Sequence, residues 1–312
     1  MDLFDLHCDT AFECATKLDG IDLEEGAWHL SLERGSFLND WRQVFAVFMP
    51  DEYRGQEAIA HYERVRNYLY RQERLFPDRF RIVRNAAQWR QTGVGCRAVL
   101  SVEGGSALAG CLSRVQSLYD DGVRLITLTW NAANELGDGI RAPEGKGLTS
   151  FGKDVVREMN RLHMAVDVSH LSDAGFYDVA DCSDAPFVAS HSDARALCGN
   201  LRNLTDDMID VIRSRGGLIG LNFYVGFLRE DEDARMTDIL RHADWFLSRG
   251  CEECLCLGSD FDGCDIPPDM VGIESMETLY EAFLQARYSE DLVRKIFSGN
   301  ARRYFDNYVF KE

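Results

Sequence analysis

No run of about eighteen apolar residues occurs anywhere in the 312-residue chain, so no membrane-spanning helix is expected. The first residues carry no basic stretch followed by an apolar one. No secretory leader is therefore expected, and the protein is read as cytoplasmic. Positive charge is scarce: 34 Lys and Arg stand against 52 Asp and Glu, a formal net charge of −18. Nucleic acids and anionic membranes both need a basic face, so neither is expected as a partner. The ten cysteines lack the spacing of a disulfide framework and read as reduced thiols of a cytosolic chain. For the same reason the sequon Asn203-Leu204-Thr205 carries no weight. There is no dinucleotide-binding glycine fingerprint, no P-loop, no linker and no low-complexity tract, so residues 1–312 are read as one catalytic domain.

Hydrophobic residues make up 46% of the chain, enough for a large core. They gather in eight short runs: Asp2–Leu6, Gln43–Met49, Arg97–Val102, Arg124–Thr129, Ala165–Ser169, Phe187–Ser190, Leu218–Asn222 and Leu255–Gly258. Short, near-continuous apolar runs rich in Val, Leu, Ile and Phe are what strands buried on both faces look like. Helical patterns lie between them, at Gln56–Leu75, Leu108–Tyr119, Ser150–Leu162, Ser172–Ala180, Thr205–Arg215 and Thr237–Ser248. Two more, Ser289–Phe297 and Asn300–Tyr308, follow the last run. Strand and helix alternating eight times predict a (β/α)₈ TIM barrel, with an open doubly wound sheet as the runner-up.

A barrel of this kind places its active site at the C-terminal ends of its strands. Those ends read His7-Cys8-Asp9, Glu103-Gly104-Gly105, Ser169-His170, Ser190-His191 and Ser259-Asp260-Phe261-Asp262. On an extended backbone, His7 and Asp9, two residues apart, share a face. Each residue taken singly has a plainer reading, as a turn carboxylate or a hydrogen-bonded core histidine. Three histidines and three carboxylates at one rim together point to a divalent-metal site of the zinc type. Six ligand-type groups exceed what one ion needs. A pair of metals with Glu103 between them follows, and two such ions activate a shared water and polarise a carbonyl. Asp260 is then placed to move a proton from that water to a leaving amine. The predicted chemistry is metal-assisted amide hydrolysis.

These words, in this order, resemble the membrane dipeptidase (renal dipeptidase) family of zinc peptidases, amidohydrolase-like barrels of the metallo-dependent hydrolase type. The matching residues are His7-Cys8-Asp9, Val102-Glu103-Gly104-Gly105, Leu125-Ile126-Thr127-Leu128-Thr129, Asp167-Val168-Ser169-His170, Ser190-His191-Ser192, Arg202-Asn203, Leu221-Asn222-Phe223-Tyr224 and Gly258-Ser259-Asp260-Phe261-Asp262-Gly263. The resemblance runs from the first residues to Gly299-Asn300. It implies two Zn²⁺ per chain, with His7 and Asp9 on one, His170 and His191 on the other and Glu103 bridging. It further implies Asp260 as the acid/base residue, Arg202 on the C-terminal carboxylate of a dipeptide and Tyr224 near the substrate. The family hydrolyses dipeptides, including L-Xaa-D-Xaa, and its members are often homodimers.

One departure stands out. Where the family has a substrate-contacting histidine after Leu128-Thr129, this chain has Trp130, whose indole N–H donates but cannot carry charge. This keeps two alternatives in view: a hydrolase of another small amide or lactone, and a metal-binding homologue without turnover. Arg141 and Arg195 fall in rim loops. His29, His61, His163 and His242 are read as lying away from the strand ends, and Cys251, Cys254 and Cys256 as free thiols rather than a metal site.

Overall fold

The computed structural model describes residues 1–18 and 20–311. Nine strands form one all-parallel sheet: β1 (Asp2–Cys8), β2 (Asp40–Phe48), β3 (Phe80–Ile82), β4 (Cys96–Glu103), β5 (Val123–Thr127), β6 (Ala165–Asp167), β7 (Val188–Ala189), β8 (Leu218–Leu221) and β9 (Leu255–Leu257). The sheet closes because β1 pairs with both β2 and β9, while β2 pairs with β4 from Trp41 against Cys96 to Phe48 against Glu103. Eight strands thus make the ring, and each of the eight apolar runs supplies one of them. The ninth, β3, lies outside the ring and pairs only with the first half of β4.

Helices cover the outside, and two apolar layers result. The inner one takes Phe4, Leu6, Val44, Val99, Leu125 and Leu218 from the strands. Its floor is laid by the end of the chain: Phe305 stacks on Trp89 at 5.7 Å and packs on Phe4 at 4.9 Å, and Phe310 stacks on the same indole at 5.0 Å, next to Phe305. The outer layer joins strand residues such as Leu3, Phe45 and Leu100 to Ala58, Val65 and Leu69 of the helix Gly55–Leu75. Hydroxyl side chains cap several helix starts: Thr149, Ser172, Thr205 and Ser289 each accept a backbone N–H from the first turn.

Two details depart from the sequence reading. The predicted helix Leu108–Tyr119 is split: Gly105–Leu108 is one 3₁₀ turn and the α-helix begins at Ser113. In β1 the pairing jumps from Asp5 opposite Gln43 to Cys8 opposite Phe45, so Leu6 and His7 together face Val44 alone. This bulge re-aims the strand end, and His7 reaches the inner rim by it rather than by simple alternation. Among the described residues no helix is long and apolar enough to cross a membrane.

Candidate metal centre

At the C-terminal rim Glu103, Thr127 and Asp167 pair in register across β4, β5 and β6. Glu103 is the centre of the site. Its Oε1 lies 2.9 Å from His170 Nε2 and 3.6 Å from His191 Nε2, and its Oε2 lies 3.5 Å from His7 Nε2. His7 Nε2 is also 3.4 Å from Asp9 Oδ2 and 3.8 Å from Asp260 Oδ1. Among the described residues, two groups of three bring metal-ligating atoms within 4.8 Å of one another: His7 with Glu103 and His191, and His7 with Asp9 and Asp260. All six groups named from the strand ends therefore meet at one place. Asp260 sits among the ligand atoms themselves.

The donor set fits a cation. Ser190 Oγ donates to Asp167 Oδ2 at 2.6 Å, so at 2.7 Å it accepts from His191 Nδ1. Asn131 Oδ1 accepts from His170 Nδ1 at 3.1 Å. Both rings therefore keep their lone pair on Nε2, yet these two nitrogens face each other at 3.0 Å. Two lone pairs at that distance repel unless a positive charge sits between or beside them. Both ring nitrogens of His7 and Oδ1 of Asp9 are likewise buried without a hydrogen-bond partner, in a protein interior where such atoms are rare.

The local backbone is built for this purpose. His170 and Asp260 have φ of 67° and 61°, in the left-handed region that non-glycine residues rarely occupy. Gly263 passes so close that a Cβ there would meet Asp9 Oδ2 at 2.1 Å and Asp260 Oδ1 at 2.6 Å. Behind the rim, Asp5 accepts from the Ser259 N–H and hydroxyl and from Gln43, fixing β1 against the loop after β9.

Protonation follows from burial and neighbours. Burial raises Glu103 from 4.5 to about 7, with His7 pulling it down and Asp9 and Asp260 pushing it up. Burial opposes the imidazolium of His7, but Glu103 and Asp9 outweigh it and carry its pKa well above 6.5. His170 and His191 are held well below the usual range by burial and by the nearby cations, Arg202 and His7. Without metal, protons are thus retained on Glu103 and His7, and a metal must displace them. Apparent metal affinity is expected to climb as pH rises through about 7, the raised position of Glu103. Zinc titrations in buffers of different ionisation enthalpy should show at least one proton released per site. Binding that is flat between pH 6 and 8 would contradict this account.

A cavity of about 810 Å³ opens onto the cluster. Arg202, Trp130 and Tyr224, named from the sequence, all line it. Arg202 is buried, donating to Ser192 Oγ at 3.2 Å and His191 O at 3.1 Å, with its Nε unpartnered. Burial lowers its pKa to about 10. Trp130 packs edge-on against Phe48 at 5.0 Å and 6.2 Å from the His170 ring. Tyr224 lies against Phe227 at 4.9 Å.

Of the rim arginines, Arg195 is taken up by a two-point pair with Asp173, whereas Arg141 reaches the cavity wall. His29 also lines the cavity, contrary to the sequence reading. Its Nδ1 accepts the Asp262 N–H at 2.9 Å, and the Asp262 carboxylate in turn holds the His29 N–H at 2.7 Å. That contact spans more than two hundred residues of chain, and no local pattern signals it. His242 is buried between the Ala194 N–H and Leu228 O, and His61 bonds Phe48 O, both structural as expected. Cys251, Cys254 and Cys256 are buried free thiols.

The model of the membrane dipeptidase family (peptidase family M19) matches residues 1–309. The chain belongs to the membrane dipeptidase family. It is a metallopeptidase-type hydrolase with the (β/α)₈ fold of that family, and the family implies a metal at this rim. A crystal structure described as the dipeptidase AC superposes with a TM-score of 0.92 at 31% identity, over 100% of this chain and 99% of that one. A metallopeptidase from Rhodobacter sphaeroides, liganded with a phosphinate mimic of the dipeptide L-Ala-D-Ala, superposes at 0.89 with 30% identity, over 97% and 98%. Human Dipeptidase 3 is 32% identical over 66% of this chain, a stretch that spans 44% of the human protein.

Proposed function

We propose that the protein is a binuclear zinc dipeptidase. The observation that carries this reading is Arg202: a buried guanidinium on the cavity wall, with no carboxylate within ion-pair distance among the described residues. A buried cation is costly unless an anion meets it, and a planar guanidinium is shaped to hold a carboxylate at two points. The free carboxylate of a dipeptide supplies that anion next to the metal-ligating cluster, and the cavity is the right size for a small ligand.

His7, Asp9, Glu103, His170 and His191 would hold the two ions, with Glu103 shared. Bound there, the ions supply water activation and carbonyl polarisation. Arg202 fixes the C-terminal end, and the Trp130 and Tyr224 faces exclude solvent. Asp260, held by Asn222 Nδ2 at 3.0 Å, receives the proton of the attacking water and delivers it to the departing amine as the C–N bond breaks. Burial raises its carboxyl above 3.8, which suits a group that must carry a proton in transit.

Hydrolysis of pooled L-Xaa-L-Xaa and L-Xaa-D-Xaa dipeptides by the zinc-loaded protein, read as free amine, tests the reading. Silence across all pools with metal bound would overturn it.

Trp130 favours a second reading, in which the same centre opens a different small amide or lactone. Its indole N–H makes no hydrogen bond among the described residues, so it is free to donate to substrate. Trp130→His is expected to raise dipeptide turnover by about 10² if an oxyanion donor has been lost there. No gain would mean that the indole already serves.

A further inference from the structure

Six carboxylates line the cavity: Asp9, Glu13, Glu103, Asp260, Asp262 and Asp265. Asp9, Glu103 and Asp260 belong to the metal cluster. Asp262 is satisfied by the Thr10 hydroxyl at 2.5 Å and the N–H groups of Trp28 and His29. Glu13 and Asp265 have no such role. Asp265 is exposed at the mouth.

Glu13 lies one helical turn beyond Asp9, its N–H bonded to Asp9 O at 3.1 Å. It is only 3% exposed, and its Oε2 is buried with no hydrogen-bond partner. Its Oε1 accepts from Lys17 Nζ at 2.6 Å, and the Lys17 side chain is 58% exposed. The Lys17 ammonium also stands 5.3 Å from the centre of the Phe12 ring, which lines the same cavity. The chain's own lysine thus shows what this corner accepts: an alkylammonium between a carboxylate and a ring face. The lysine comes from solvent, on a flexible stem, and answers only one of the two oxygens.

We propose that Glu13, with Phe12, forms a subsite for the basic side chain of the substrate's N-terminal residue, a Lys or Arg that displaces Lys17. The proposal rests on the dipeptidase reading. Geometry selects the side chain over the α-ammonium. The α-ammonium is two bonds from the scissile carbonyl and so stays close to the metal-ligating cluster. Glu13 is a full turn farther out, about 5.4 Å along a helix, a distance that a Lys or Arg side chain covers. Direction agrees as well. Arg202 follows β7 and Glu13 follows β1, three strands on in the order β7-β8-β9-β1. Arg202 and Glu13 thus stand on separate sectors of the rim, and an anchor at Arg202 leaves the Glu13 corner to the other end of the dipeptide.

The test compares L-Lys-Ala with L-norleucyl-Ala, in both L-Ala and D-Ala forms, on the zinc-loaded protein. The two substrates differ by the side-chain ammonium alone. The expected ratio of kcat/KM is about tenfold in favour of Lys, as for one charge-assisted hydrogen bond. Glu13→Gln should bring the ratio to about one, and Lys17→Met, which removes the internal competitor, should raise it several-fold. A ratio of one in the unaltered protein overturns the proposal. So does a ratio that Glu13→Gln leaves intact, including the case where both substrates slow alike, which would put the α-ammonium on Glu13.

Calorimetric binding of phosphinate mimics of L-Lys-D-Ala and L-norleucyl-D-Ala gives the same ratio without turnover. If no dipeptide is cleaved, the dipeptidase reading falls, while the calorimetric ratio still decides the subsite. A protein that binds neither mimic overturns both.

Discussion

Asp260→Asn is expected to lower kcat/KM for dipeptide hydrolysis by about a thousandfold, within the range general acid–base groups contribute. Asparagine suits the position in every respect but charge. Among uncharged residues other than glycine it is the one that best tolerates the left-handed backbone that Asp260 adopts at φ 61°, and its amide oxygen can still accept from Asn222. The loss is therefore chemical rather than structural. It should appear mainly in kcat, with the melting temperature held and metal content measured by atomic emission on the same sample. Because Asp260 also lies within the His7–Asp9 group, a second outcome is informative. Loss of metal together with rate would make Asp260 a ligand first. A variant that keeps both metal and rate would remove Asp260 from the mechanism.

Glu103→Gln should have a larger effect on metal and an opposite one on the metal-free protein. Three imidazoles face this one carboxylate, so removing its charge should abolish binding of at least one metal equivalent and take hydrolysis below detection. In the metal-free state Glu103 is raised by burial from 4.5 to about 7. An acid whose folded pKa is raised contributes stability that is fully present below the unfolded value and lost as pH climbs through the folded one. The metal-free parent is thus penalised at pH 8 and not at pH 4.5, whereas glutamine never ionises. Scanning calorimetry of chelator-treated samples should show Glu103→Gln melting above the parent at pH 8, with the gap closing as pH falls below about 5. A gap independent of pH would mean that Glu103 is already neutral, or paired, throughout.

Much of this architecture was legible because barrel strands are buried on both faces and therefore stay apolar at consecutive positions. Leu3 and Phe4, or Val44 and Phe45, go to different layers but are equally hidden. The strand β3 escaped notice because only Phe80 and Ile82 of its three residues are buried and its partner is half a strand. The candidate ligands were legible as a set because topology brings strand ends together whatever their separation in sequence. The bulge in β1 was not, since no residue type announces a jump in register. Nor were Glu13, Phe12 and His29. Their place in the cavity depends on a short helix after β1 and on the Asp262 staple, neither of which has a local signature.

Closure through β1 also fixes an order of events. Asp5 finds its β9 partner in Leu257, some two hundred and fifty residues later, and the floor of the inner layer waits for Phe305 and Phe310. During synthesis the first of the candidate ligands to emerge, His7 and Asp9, have none of their partners in the cluster until Glu103, His191 and Asp260 have followed. The nascent chain must leave a sticky first strand unpaired on one edge for most of its translation, a long-range closure of the kind that slows folding and exposes edges. Ring closure and completion of the rim are therefore late and nearly simultaneous, since Leu257 of β9 and Asp260 follow one another within a few residues.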